Sequence, residues 1–322
     1  MKNNIKRYTA AIMLIILAAI QAVFFSGCGK SNDSADGKVS VVATNFAMYD
    51  LARAVCGDLC DVTMLLKPGS ESHDFEATLG DIAIIAEADI ILYVGGESEE
   101  WMDDVIASLG VNAGTIRFIR AMDHVETLCA ESEIGGHSHD HDHDDVSELD
   151  EHVWTSIDNA VTIMDKIRGA VISEDVSLTE TVTANYAAYK EELIKLDEQF
   201  KDTVKSARRN MIIVADRFPF QYLTEKYGIE YVAAFSGCSS DTEPTLSMIN
   251  YLIEQVKLQD IPAVLKIEFS DGKTAEAVAS ETGCGILELH SAHNVTTEDF
   301  DAGVTYADLM RRNLETLRVA LN

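Results

Sequence analysis

The chain has 322 residues, with 54 Asp or Glu against 25 Lys or Arg and a formal net charge of −29. So acidic a surface repels nucleic-acid backbones and anionic lipid, and neither is expected as a binding partner. The length allows two lobes of ordinary domain size, and an apolar fraction of 47% can supply a core to each.

The first segment reads as a processing signal. Lys2, Lys6 and Arg7 precede an apolar run from Ala10 to Phe25 that closes on Ser26-Gly27-Cys28. That order of charge, apolar stretch and small residues is secretory, and the run falls short of the ~20 residues of a membrane span. It resembles a bacterial lipoprotein signal, with Phe25 where leucine is usual. The resemblance makes residues 1–27 a signal peptide and Cys28 the lipidated residue, anchoring an exported protein to the outer face of the cell membrane or leaving it in a periplasm. Residues 28–38, rich in Ser, Asp, Asn and Gly, read as a flexible tether.

A first lobe, residues 39–172, follows. Val39–Ala43 reads as a strand, Met48–Val55 as a helix, and Val62–Leu66 and Ala88–Val94 as further strands, the βαβ rhythm of a parallel sheet. Within it, residues 130–150 read as a disordered His/Asp-rich loop. His137, His139, His141 and His143 alternate there with acids that include Asp140, Asp142, Asp144 and Asp145, an auxiliary supply of ligands for divalent metal.

Leu178, Val182, Tyr186, Tyr189, Leu193, Leu196, Phe200 and Val204 then follow at steps of three and four, one apolar face of a single helix. From Ser177 to Ala207 it would extend about 45 Å at 1.5 Å per residue. That suits a rigid linker over residues 173–208, with a coiled-coil arm as the alternative.

The second lobe, residues 209–322, repeats the first. Val42-Ala43-Thr44-Asn45-Phe46 is echoed by Val214-Ala215-Asp216-Arg217-Phe218, and Glu76-Ala77-Thr78-Leu79 by Glu243-Pro244-Thr245-Leu246, in the same order. The fold class expected is α/β, two similar βα lobes with parallel-type sheets joined by one long helix. Five cysteines remain beyond Cys28, and an odd number leaves one outside any internal pairing. Cys56 and Cys60, four apart, can face each other on one helix; Cys238 and Cys284 share the second half; Cys129 stands apart.

Several motifs now carry a resemblance. Leu65-Leu66-Lys67-Pro68-Gly69-Ser70-Glu71-Ser72-His73-Asp74-Phe75-Glu76 resembles the proline-glycine loop, ending in a metal-binding histidine, of the zinc and manganese solute-binding proteins of ABC transporters. Asp150-Glu151-His152-Val153-Trp154 resembles that family's second histidine motif, with the acidic histidine tract just before it as in the zinc members. Asp216-Arg217-Phe218-Pro219-Phe220, Lys226-Tyr227-Gly228, Glu281-Thr282-Gly283 and Thr305-Tyr306-Ala307-Asp308 extend the likeness across the mature chain. The resemblance implies a monomeric clamshell with the metal in the cleft between the lobes, docking on a membrane permease and its ATPase.

His73 and His152 are the ligands it carries over. Where many zinc members hold a further histidine, this chain has Ala215, which coordinates nothing. Where members place a last-strand carboxylate, the chain reads Leu289-His290-Ser291-Ala292-His293, and apolar alternation through Leu287 and Leu289 puts His290 at a strand's end. The expected set is His73, His152 and His290, with water, His293, Asp216, Asp241, Glu243 or Glu268 as candidates for a fourth position. Three imidazoles suit Zn2+ as the transported ion, whereas Mn2+ favours oxygen octahedra.

The function expected is capture of Zn2+ for import, with manganese or iron uptake as the neighbouring reading. An extracytoplasmic zinc hydrolase is the reading from another class. No Glu stands in HExxH relation to a proposed ligand, and no nucleophile elbow appears, so the chain is read as a non-enzyme. If the histidine tract gathers scarce metal, deletion of residues 137–145 will slow growth and uptake under zinc starvation; unchanged uptake would reject that role.

Overall fold

The computed structural model describes residues 37–71, 75–130, 149–237 and 244–322. The chain divides into two units, Met1–Lys38 and Val39–Asn322. Only residues 37 and 38 of the first are described, so the signal, the tether and Cys28 lie outside the description. Among the described residues no helix is long and apolar enough to cross a membrane.

The second unit opens with β1 (Val39–Ala43), α1 (Phe46–Cys56), β2 (Cys60–Met64), α2 (Leu79–Glu87), β3 (Ile90–Tyr93), α3 (Trp101–Leu109) and β4 (Arg117–Arg120). Two long helices follow, α4 (Ile157–Glu174) and α5 (Thr179–Ser206). The remainder is β5 (Met211–Phe218), α6 (Gln221–Tyr227), β6 (Glu230–Ser236), α7 (Leu246–Gln259), β7 (Ala263–Lys266), α8 (Lys273–Thr282), β8 (Gly285–Glu288), α9 (Thr297–Asp301) and α10 (Tyr306–Ala320).

The strands form two four-stranded parallel sheets of one topology, β2-β1-β3-β4 and β6-β5-β7-β8. The letter repeat therefore reports a structural repeat. Thr78 caps α2 by accepting from Asp81 N–H, and Thr245 caps α7 by accepting from Met248 N–H, so the shared Thr-Leu pair marks an equivalent helix start.

Both faces of the inner strands β1, β3, β5 and β7 are covered, which explains why those strands read as near-continuous apolar runs, whereas the edge strands β2, β4 and β8 keep exposed positions. Val39, Val41 and Ala43 of β1, with Ile212 and Val214 of β5, point into one central core shared with α1, α4, α5 and α10. Their neighbours Val42 and Ile213 point into separate outer clusters, one per lobe. The apolar stripe of α5 lies in this central core or packs against it. The helix has 28 residues, the long connector that the periodicity implies.

Two details differ from the sequence expectation. The second strand begins at Cys60 rather than Val62, because parallel pairing sets Val39 opposite Cys60. Cys56 and Cys60 do not share a helix, because Gly57 takes φ +55°, its N–H bonds to Arg53 O, and α1 ends.

Asp197 ties α5 to the second lobe. It accepts from Lys201 and Lys226 and from the Tyr227 hydroxyl at 2.8 Å, with Lys226 Nζ 2.8 Å away and its side chain only 10% exposed. Burial works to raise the Asp197 pKa, but these donors outweigh it and hold the carboxyl below its usual value. A depressed folded-state pKa gives stability that is present above the unfolded value and lost as pH falls through the folded one. Asp197→Ala is expected to cost about 2 kcal/mol in urea unfolding near neutrality, because it removes the acceptor of Lys201 and Tyr227 and leaves Lys226 with Asp158 alone at 2.8 Å, with the gap to wild type closing on acidification. A gap indifferent to pH would contradict the ion-pair account.

Candidate metal centre

His152 is held before it can meet any ligand. It is wholly buried, directly before the short turn Val153–Thr155 that leads into α4. Asp150 Oδ1 accepts from His152 N at 2.7 Å and lies 3.1 Å from Nδ1. A carboxylate at Nδ1 fixes the proton there and leaves the Nε2 lone pair as the coordinating position.

Burial opposes protonation of His152. The charge and hydrogen bond of Asp150, then Glu151 and Glu268, outweigh it and raise the pKa above the ordinary imidazole value. The ring is confined from behind by Gly237, where an added Cβ would stand 2.9 Å from Phe218 O and 3.1 Å from His152 Cε1.

The base of the histidine-rich segment is pinned across the lobes. The Tyr222 hydroxyl of α6 donates to Asp150 O at 2.7 Å and accepts from Leu128 N at 3.0 Å, while Cys129 pairs with Leu149. Residues 131–148, with His137, His139, His141 and His143, lie outside the described residues.

From the second lobe, the loop after β8 delivers His293. Glu268 accepts from Ser291 N at 2.7 Å and from the Ser291 hydroxyl, and Ser291 Oγ in turn accepts from His293 N at 3.1 Å. Ala292 adopts φ +60°, a left-handed bend that redirects the chain between the two histidines. Asn294 then donates to Lys67 O and Ser70 O, both at 2.8 Å, joining this loop to the one that precedes His73.

The rings of His152 and His293 meet edge to face with centroids 5.5 Å apart. Both line one cleft, together with Glu268, Glu71, Arg217 and Phe269. His293 also borders a second cavity on the first-lobe side, beside Asn45, Ser98 and Glu99.

His290 is placed differently from the expectation. Its backbone N–H donates to Asn313 Oδ1 at 2.7 Å and its Nδ1 accepts from Ala292 N at 2.9 Å, so in the neutral ring the proton sits on Nε2. It does not line the cleft, which His293 does. β8 stops at Glu288, and the bend at Ala292 turns His293, not His290, inward.

Of the fourth-ligand candidates, Glu268 lines the cleft. Asp216 accepts from Arg217 N and keeps Oδ2 buried, outside that lining. His73, Asp241 and Glu243 fall outside the described residues. Among the described residues no three His, Cys, Asp or Glu side chains form a ready metal cage. Two imidazoles and a carboxylate on one cleft nevertheless match the nitrogen and oxygen donors that Zn2+ takes.

Sequence reasoning missed the supports. Glu151 accepts from Ser98 N at 3.1 Å and from its hydroxyl at 2.5 Å, and Glu99 accepts from Val94 N and Gly95 N. Burial, with the charge of Glu151 adding to it, pushes Glu99 up to about 7 against the hydrogen bonds it accepts. A partner 53 residues away leaves no local signal.

Residues 41–320 match the family described as zinc-uptake complex component A, periplasmic. Zinc-binding lipoprotein AdcA of Streptococcus pneumoniae is 30% identical over 305 residues, 94% of this chain and 60% of its own length. The chain thus spans about 60% of the streptococcal relatives. The high-affinity zinc uptake system protein ZnuA of Bacillus subtilis is 30% identical over 313 residues, 96% of this chain and 97% of the relative. The Zn(II)-bound ZnuA-like domain of Streptococcus pneumoniae AdcA superposes with a TM-score of 0.73 at 27% identity, over 88% of this chain and 99% of that one. The metal-dependent lipoprotein YcdH of Bacillus subtilis superposes at 0.75 and 27%, over 88% and 100%.

If His152 Nε2 is a ligand, a proton and a metal compete for it. Because the pKa is raised, Zn2+ affinity is expected to begin falling at a pH above the ordinary imidazole midpoint of about 6.5, by roughly tenfold per unit once His152 protonates. Calorimetry across that range tests it; a flat profile through pH 6 would exclude His152 as a ligand.

Proposed function

The chain belongs to the zinc-uptake complex component A family, and on that premise we propose that it captures Zn2+ outside the cytoplasm and delivers it to a membrane permease driven by an ATPase. The observation that carries this reading is the pair His152 and His293, brought from opposite lobes onto one cleft. A ligand shared between lobes stabilises their apposition, so the loaded protein presents a surface distinct from the empty one.

The proposed ligands are His152 and His293, with His73 from the loop that Asn294 tethers and Glu268 as a carboxylate donor or as the group that orients Ser291. Zn2+ has no ligand-field preference and accepts such a mixed set, whereas Mn2+ prefers an octahedron of oxygens. Export follows from the signal-like residues 1–27, and attachment from lipid on Cys28. The names of the relatives speak of zinc binding and zinc uptake rather than of a reaction, and turnover is not expected.

Competition calorimetry with Zn2+ and Mn2+ tests the reading. One tight Zn2+ site is expected to survive deletion of residues 137–145 and to weaken at least about 100-fold in His293→Ala, while His290→Ala stays within a few-fold of wild type. Preferential Mn2+ binding would overturn the cargo assignment, and collapse in His290→Ala alone would overturn the ligand set.

A further inference from the structure

Two buried thiols in the first lobe have no part in the cleft. Cys56 is the last residue of α1 and Cys60 the first of β2, joined by the single turn Gly57–Leu59. They are 0% and 6% exposed within the central core, and the thiols lie against one another within hydrogen-bond reach. The turn is seated under α5: Asn185 Nδ2 donates to Val55 O at 3.1 Å and stands 3.3 Å from where a Cβ on Gly57 would be. Among the described residues no cluster of metal-ligating groups accounts for the pair.

We propose that Cys56 and Cys60 close into a disulfide when the chain reaches an oxidising compartment, stapling the end of α1 to the start of β2 beneath the long helix. The proposal rests on the reading that the protein is exported. Two thiols give up two protons and two electrons to a donor disulfide, such as that of an extracytoplasmic oxidoreductase or glutathione disulfide. The thiolate of one cysteine attacks the donor, forming a mixed disulfide and releasing one donor thiol. The other cysteine then attacks its neighbour's sulfur, the intramolecular bond forms, and the second donor thiol leaves.

The surroundings make this a structural bridge rather than a switch. Contact with Cys60, and then burial, push the Cys56 thiol far up, so thiolate is scarce in the folded state. Exchange belongs to folding or to local opening of the turn, and the finished bond is shielded from reductant by the packing of α1 and α5.

The test is thiol mapping of the full chain. Protein refolded from the reduced state in a glutathione/glutathione-disulfide buffer is alkylated in denaturant without reductant and digested with trypsin. Residues 54–117 form one peptide that carries these two cysteines and no others. The expected peptide is unalkylated and lighter by two hydrogens; a doubly alkylated peptide overturns the proposal. The bridge is further expected to resist dithiothreitol in native buffer and to be cut in urea, and equal rates in the two would overturn the buried staple. A bridge that forms in the buffer but is missing from protein thiol-trapped in cells supports the pairing and counts against the exported reading instead.

Discussion

The indole N–H of Trp154 donates to Ser291 O at 2.8 Å, and the site depends on this bond. Trp154 lies two residues after His152, and Ser291 two before His293, so one hydrogen bond sets the spacing of both histidines across the lobes. The indole is wholly buried and its ring packs against His152 at 5.4 Å and His293 at 4.8 Å. The Trp154 carbonyl accepts from the Tyr306 hydroxyl at 2.6 Å, which extends the connection to α10. A buried hydrogen bond contributes only about 1 kcal/mol to stability. Here its greater effect is positional, because it fixes the separation of the two proposed ligands.

Around that bond the polar groups form a closed network. Asp50 of α1 accepts from Tyr306 N at 2.7 Å and from the Tyr189 hydroxyl of α5 at 3.2 Å, and that hydroxyl accepts from Ala307 N. Burial raises the pKa of Asp50 despite these donors, so the carboxylate is retained at an electrostatic cost. Its return is geometric: α1, α5 and the start of α10 are locked in register. The same layer carries the continuous central core, and a shared core limits how far two lobes can swing.

Much of this was legible from local chemistry. The inner strands appear as apolar runs because both of their faces are buried, and the stripe of α5 appears because one face of a long helix is. The recurrence of Thr-Leu at equivalent helix starts exposed the internal repeat, since an N-cap needs a short side-chain acceptor wherever the chain copies that turn. The placement of His290 against His293 was not legible. Alternation continues only while a strand does, and the left-handed Ala292 that reverses the facing carries no glycine to announce it.

By itself, the sequence determined the α/β class, the duplicated lobes, the long connector and the nitrogen-rich chemistry of the candidate ligands, because each is written in periodicity, spacing or side-chain type within a few tens of residues. Tertiary structure decided which histidines share the cleft, which carboxylates support them and which cysteines touch. Those relations join Trp154 to Ser291, Glu151 to Ser98 and Asn294 to Lys67 across large sequence separations. Only packing of the whole chain brings such groups within the few ångströms over which hydrogen bonds and metal ligation act.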